Sequence, residues 1–318
     1  TTMELGYWKR MGANATFLDL EGTEEWDDSY VCELPPGEAT LPQHHLFEAF
    51  VYVLQGEGVT SVRNADDRTE QQFEWHKGSL FALAPNIRYR HFNPSPVEPV
   101  RMLVVTSAPL VMNLFHNAGF IWDNDFVFHD RFAGAADHFN GRTTSLPGRI
   151  RQSNLISDVA TLGLEGYPER GASGKNVRLE VGNSTLTAHI SEFPVGTYKK
   201  AHRHGPGAHV IIVSGSGYSL MWPDGTEPRQ FDWHPGSLVV PPGRWFHQHF
   251  NGGDVPARYL AIRWNSQLHP LFSKRSGTAT SIKDGGDQIE YEDEDPAIRE
   301  RFERQLTASG GQSAMSVS

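Results

Sequence analysis

The sequence predicts an all-β protein: two tandem barrels of short strands, followed by a short C-terminal helix. Three observations predict it. The 318 residues include 31 Gly and 20 Pro, the punctuation of a chain made of many short strands and turns. Apolar residues come in short runs such as Val210-Ile211-Ile212-Val213, or alternate with polar ones as in Thr185 to Ser191, the period of a half-buried strand. The chain also repeats itself. Phe73-Glu74-Trp75-His76-Lys77-Gly78-Ser79-Leu80 matches Phe231-Asp232-Trp233-His234-Pro235-Gly236-Ser237-Leu238 at six of eight positions. The offset of 158 holds on to His91-Phe92-Asn93 against His249-Phe250-Asn251, and a one-residue shift aligns Gly56-Glu57-Gly58 with Gly215-Ser216-Gly217. One strand-rich unit is therefore present twice.

The elements follow in order. Residues 1–30 read as an arm, with an acidic patch from Glu21 to Asp28. The first barrel spans 31–108, entered by a strand from Ser29 to Leu34 and a turn at Pro35-Pro36-Gly37. Residues 109–175 form a connector, in which Leu110 to Phe115 opens a short helix. It is too long for a bare loop, so it is expected to pack on the barrels or reach over a barrel mouth. The second barrel spans 176–270. Its strands include Thr185 to Ser191, Val210 to Val213, Ser237 to Val240 and Arg258 to Trp264, with turns at Ser214 to Gly217 and Trp233 to Gly236. The tail, 271–318, is acidic from Asp284 to Asp295. It then reads as a helix from Pro296 to Leu306, with Asp295 as its cap and proline in the first helical position. Ile298, Phe302 and Leu306 form an apolar stripe that needs a docking surface. Ser309 to Ser318 reads as disordered.

Composition excludes several classes. A formal charge of −10 without a basic stripe argues against a nucleic-acid partner. No apolar run approaches the ~20 residues of a membrane span, and Thr1 to Asp19 lacks the apolar core of a signal peptide. Cys32 is the single cysteine, so no intrachain disulfide forms, which fits a reducing, cytoplasmic setting.

Chemistry concentrates in the second barrel. His202 and His204 lie two apart, as do His247 and His249, and residues two apart in a strand share a face. Two imidazoles from one strand and one from its partner make a three-nitrogen metal site with open positions, suited to Zn, Fe, Ni or Cu. In the first barrel the matching positions hold Gln43, His45 and Tyr89, a poor set for a divalent ion, so that barrel reads as structural. A weak site there would use His44, His45, Glu48 and His91.

These residues resemble the cupin superfamily. Its first motif, G-x5-H-x-H-x(3–4)-E-x6-G, is met by Gly196, His202, His204 and Gly215, with Ala208 in the glutamate slot. Its second, G-x5-P…H-x3-N, is met by Gly236, Pro241-Pro242, His247 and Asn251, with one extra turn residue. The resemblance implies two double-stranded β-helix (jelly-roll) barrels, a bicupin, with His202, His204 and His247 as ligands. Loss of the glutamate resembles the three-histidine dioxygenases, gentisate 1,2-dioxygenase in particular. That implies Fe(II), with Mn, Ni and Zn as alternatives, and a small hydroxylated aromatic acid or similar chelating substrate cleaved with O2. It also implies a homo-oligomer, a dimer or tetramer.

Three neutral ligands leave the metal charge for an anionic chelate to balance. Around them, His209 is a candidate fourth ligand if Gly205-Pro206-Gly207 shifts the strand phase, and otherwise a wall residue. His249 shares the inner face with His247, either as a catalytic hydrogen-bonding group or as a packed core histidine. Asn251 pins a turn or strand end. Arg178, Arg258 and Arg263 are candidate carboxylate clamps. Phe193, Tyr198, Trp222 and Trp245 are candidates for an aromatic pocket. Two other readings stand beside the dioxygenase. One is a non-oxidative lyase, isomerase or hydrolase using the metal as Lewis acid, with His249, His209, Tyr198 or Glu192 as base. The other is a binding protein without turnover.

Overall fold

Strand alternation decides the architecture. In the second barrel Val177, Leu179 and Val181 alternate with Asn176, Arg178 and Glu180; Leu260, Ile262 and Trp264 alternate with Tyr259, Ala261 and Arg263. The first set of each strand packs against a matching face of the first barrel, formed by Phe50, Tyr52, Leu80, Ala82, Leu103 and Val105. The two barrels therefore stand back to back on one apolar seam, and strands buried on both faces read as near-continuous apolar runs. This computed structural model describes residues 4–23, 26–67, 70–205, 207–270 and 279–315.

Each barrel is a large sheet facing a three-stranded one. In the first barrel the large sheet runs, in spatial order, Gly6–Trp8, Ala13–Leu18, Asp28–Leu34, Val100–Thr106, Ala49–Gln55, Leu80–Leu83 and Leu155–Ile156; the small one is Gln71–His76, Glu57–Arg63 and Arg88–Phe92. In the second barrel the order is Thr144–Leu146, Ile150–Ser153, Lys175–Val181, Leu186–Phe193, Ala257–Trp264, His209–Ser214 and Leu238–Val239, facing Arg229–Trp233, Gly217–Trp222 and Phe246–Asn251. The stretch read as an arm thus supplies two strands to the first barrel, and the connector supplies strands to both. Helices α1 (Ala108–Phe115) and α2 (Ala118–Trp122) also lie in the connector, and α3 (Pro296–Ala308) in the tail. Among the described residues no helix is long and apolar enough to cross a membrane.

The sequence repeat has a physical cause in each barrel. Gly56 and Gly215 sit at φ of 83° and 80°, a left-handed turn that a side chain resists. A Cβ at Gly58 would collide with the Trp75 ring and the Phe92 carbonyl, and one at Gly217 with the Phe250 carbonyl and the Trp233 ring. Both long central strands carry an irregularity at the same place, Val53/Gln55 and Ile212/Ser214. Glu48 joins the barrels: it accepts from the backbone N–H groups of Thr185 and Leu186 and from Arg131 at 2.7 Å.

Helix α3 starts on Asp295, whose side chain accepts from Ala297 N at 2.9 Å, with Pro296 in the first position. Its stripe of Ile298, Phe302 and Leu306 docks on the chain's own second barrel, over Tyr198, Tyr218, Leu220, Phe246 and Phe250. Residues 309–315, read as disordered, are also held: Ala314 N donates to Gly196 O at 2.7 Å, and Met315 packs beside α3. Residues 316–318 and 271–278 lie outside the described residues.

Phe302 is wholly buried at the centre of that contact. Phe302→Ala should lower unfolding stability by ~3–5 kcal/mol, the range for deleting a core aromatic ring. A urea midpoint unchanged within error would mean that α3 adds nothing to the fold.

Candidate metal centre

Backbone pairing brings the three histidines together. His202 N donates to His247 O at 3.1 Å and His247 N donates to His202 O at 2.8 Å, an antiparallel bridge across the barrel mouth. Alternation then sorts the side chains. Phe246 and Phe250 face outward under α3, while His247 faces inward. Arg203, between His202 and His204, binds Asp287 at 3.0 Å and Asp224 at 2.9 Å, on the opposite side. Ligating atoms of His202, His204 and His247 lie within 4.8 Å of one another, the one such group among the described residues.

The donor chemistry fits a divalent ion. His247 Nδ1 donates to Trp245 O at 3.2 Å, which leaves its Nε2 lone pair for a metal. Among the described residues His202 Nδ1 is buried without a hydrogen-bond partner, a costly state that a ligand would relieve. Burial holds His247 down at about 3, helped by Arg170 and Arg263 and opposed by the Trp245 hydrogen bond. It also holds His202 well below the usual range, with Arg170 the next cause. Both are therefore neutral, as ligation requires.

Beside them is a cavity of about 50 Å3 lined by four cations, Arg170, Arg178, Arg263 and Lys199, with no carboxylate among its lining residues. The register explains this. Arg178 pairs with His189 and that with Ala261; Asn176 pairs with Ser191 and that with Tyr259; Thr187 pairs with Arg263. These are the inward sets of three neighbouring strands, and Ala261 leaves the space. Glu180, on the same face, is taken by Ser266 Oγ at 2.6 Å and Gln267 N at 2.8 Å. Arg170 is wedged in from the connector, donating to Gln288 Oε1 at 2.9 Å. Gln288 itself belongs to a tail strap that bridges to His202.

The buried cations strain one another. Burial, then Arg178 and Arg170, bring Arg263 down to about 10. Burial first and Arg170 next push Lys199 well below the usual amine range. Lys199 is 2% exposed; its Nζ donates to Ser191 Oγ and lies 3.3 Å from Tyr259 Oη, with no acidic partner among the described residues. An anion entering this cavity would relieve all four charges at once.

The sequence had placed Arg178 and Arg263 here, and both line the cavity. It missed Arg170, Lys199, His189, Ser191 and Tyr259. The signal was available in the alternation of Thr187, His189 and Ser191, whose polar face is the barrel interior. Other expectations need correction. His209 is not in the converging group: with strand phase kept, its Nδ1 lies 4.0 Å from Asp27 at the seam, while Pro206 lies outside the described residues. Phe193, Trp222 and Trp245 do not line the cavity. Trp222 packs under α3 and Phe193 within another core cluster, while the Trp245 carbonyl orients His247. Arg258 binds Glu192 at 3.0 Å, and Tyr198 donates to Glu294 at 2.7 Å, so neither clamp nor base is free there.

His249 also stands outside the cavity lining. Its Nδ1 lies 2.8 Å from Ser219 Oγ, which also accepts from Trp233 Nε1 at 3.1 Å. The first barrel has the same arrangement: His91 Nδ1 lies 2.7 Å from Thr60 Oγ1, which accepts from Trp75 Nε1 at 2.7 Å. A unit shared with a barrel lacking the ligands belongs to the scaffold. In that first barrel His45 has both nitrogens occupied, by Phe47 O at 2.9 Å and Tyr89 Oη at 3.0 Å. Asn251 fastens the end of its strand, donating to Val255 O at 3.0 Å.

Comparison with known proteins supports the fold. Residues 30–106, the first barrel, match the family model described as Cupin domain. No curated protein matches the chain. A Bacillus subtilis oxalate decarboxylase with Mn(II) centres superposes with a TM-score of 0.52 at 14% identity, over 79% of this chain and 72% of that one. A mutant of the same enzyme gives 0.54 at 13% identity, over 84% and 76%. The chain therefore has the two-barrel cupin fold.

Burial also sets the acid response. His45, His91 and His247 are held at about 3 by burial, against ~6.5 in an unfolded chain. The unfolded state therefore binds more protons between these values. Stability should be full above pH ~6.5 and fall with acid towards pH ~3, by ~1.4 kcal/mol per pH unit for each fully titrating ring. Urea midpoints of metal-free protein from neutral to pH ~4.5 measure this. A flat profile would mean that the rings are not buried neutral.

Proposed function

We propose that this chain is a metal-dependent enzyme that binds a small chelating carboxylate and transforms it by non-oxidative acid–base chemistry. The observation that carries the reading is Lys199: a buried amine without an acidic partner among the described residues, in the cavity that adjoins the three converging histidines. An oxygen-activating site has no need of such a group, whereas proton transfer to or from a bound substrate does.

In this reading His202, His204 and His247 hold a divalent ion; Mn(II) stands beside Fe(II), Ni and Zn, because the fold is shared with a decarboxylase that has Mn(II) centres. When bound, the ion supplies Lewis acidity toward a chelated oxygen. Arg178 and Arg263 clamp the carboxylate, and Arg170 adds a third guanidinium. Lys199, whose proton is loosened by burial and its cationic neighbours, gives it to the substrate and takes it back, with Ser191 and Tyr259 orienting its nitrogen. The cavity of about 50 Å3 admits a ligand of a few heavy atoms. It favours a two- to four-carbon acid, by rough count, over a hydroxybenzoate.

The second reading is the Fe(II) dioxygenase. It rests on the ligand motif: Ala208, 2% exposed, fills the usual glutamate slot and leaves three neutral donors. The two readings separate on oxygen.

Protein reconstituted with Mn(II) or Fe(II) would be given oxalate, other short keto and hydroxy acids, and hydroxybenzoates, with product and dissolved O2 followed together. Product from a short acid without net O2 consumption is expected. Stoichiometric O2 uptake would replace this reading with the dioxygenase, and ligand binding without product would leave a binding protein. Lys199→Met should lower kcat by ~10²–10⁴ with metal content unchanged. Arg263→Ala should chiefly raise KM. Unchanged kcat in Lys199→Met would remove the lysine from the chemistry.

A further inference from the structure

Among the described residues the first barrel has no converging ligand set, yet its cavity is the larger of the two. Its cavity has a volume of about 400 Å3, within the range of small-molecule sites. The floor is the set Gln43, His45 and Tyr89, which replaces the metal ligands. Gln43 Nε2 donates to Arg10 O at 3.0 Å and Leu41 O at 2.9 Å, and His45 and Tyr89 bond one another, so the floor is closed and self-satisfied. The walls are aromatic: Trp8, Phe17, Tyr30, Phe47 and Trp122. Trp8, Phe17 and Tyr30 meet at 5.1–5.7 Å between centroids and at steep mutual angles, 69°, 78° and 52°. Rings so inclined present both faces and edges to a guest.

Acidic side chains break the apolar lining. Asp28 projects from the same strand face as Tyr30 and pairs with Thr106, which also lines the cavity. Burial lifts its carboxyl above its usual range; the Ser29 N–H opposes the lift and Asp19 adds to it. Asp19 and Asp28 line the space, and among the described residues no lysine or arginine does. Arg10 places its guanidinium carbon 3.7 Å from the Trp122 ring centroid, outside the lining, and Asp123 lies near enough to favour its charge. The sign is opposite to that of the second barrel, where four cations surround the cavity.

We infer that the first barrel is a second ligand site, which takes a small organic cation with an aromatic or apolar body and an ammonium group. Its body would lie among the five rings. Its ammonium would be held by Asp28 and Asp19. This goes beyond the proposed reaction, which it does not require.

The test is calorimetric titration of the full chain with phenethylamine and with 3-phenylpropionate, which carry opposite charges on similar bodies. Phenethylamine is expected to bind with a dissociation constant below ~1 mM, at least tenfold tighter in this cavity than the acid. Asp28→Asn should weaken the amine about tenfold, the factor of one lost charge contact. Met112→Trp, which fills the space from the partly exposed face of α1, should abolish it. His202→Ala, in the other barrel, should leave amine binding unchanged. No binding at millimolar amine would overturn the inference. So would amine binding that survives Met112→Trp, or acid binding of equal strength that Met112→Trp removes. Acid binding that survives Met112→Trp belongs elsewhere and leaves the amine result to decide.

Discussion

The back-to-back packing of the two large sheets is the constraint on which the rest depends. It buries Val177, Leu179, Val181, Leu260 and Ile262 against the first barrel on one face of each strand. The opposite face is then released from making the main core and can carry charge. Asn176, Arg178, His189, Ser191, Tyr259 and Arg263 occupy it, and the cationic cavity is the result. The same seam holds Glu48 of the first barrel against the backbone of Thr185 and Leu186, which fixes where the second barrel's strand begins.

One scaffold has been filled in two ways. Both barrels keep the Trp–hydroxyl–His unit and the Gly-x-Gly turn beneath it, because the tryptophan ring lies where the second glycine has no side chain. They differ at the mouth. In the second barrel three imidazoles converge, their ligating atoms within 4.8 Å of one another. In the first, the corresponding groups bond each other and the backbone, and the space above them is aromatic and acidic. The electrostatic contrast is large: burial with like charges pulls Arg263 and Lys199 down on one side, while burial pushes the Asp28 carboxyl up on the other. Anionic and cationic guests would be sorted by charge before shape.

The tail takes part in the site from a distance in sequence. Gln288 bridges to His202 and anchors Arg170, and Ile289 N donates to Ala201 O at 2.9 Å. Asp287 draws Arg203 away from the metal face. The acidic stretch before α3 is thus the support of the segment that carries two of the three ligands.

The sequence by itself determined the two barrels, the repeat, the three histidines, α3 with its cap and stripe, and two of the cavity's arginines. Each of these is written in local terms: a period of two, a turn glycine, a residue pair two apart, a proline after an aspartate. Tertiary structure alone decided what depends on partners far along the chain. It made strands of Gly6–Trp8 and Ala13–Leu18 because an open sheet edge was there to receive them. It turned His209 toward Asp27 because the seam, not the mouth, lay on that side. It sent Phe193 and Trp222 into cores, since aromatic character says nothing about which face of a sheet a ring will meet. It brought Lys199 and Arg170 to the metal face without a carboxylate in reach, and a charge balance of that kind exists only once the strands are closed into a barrel.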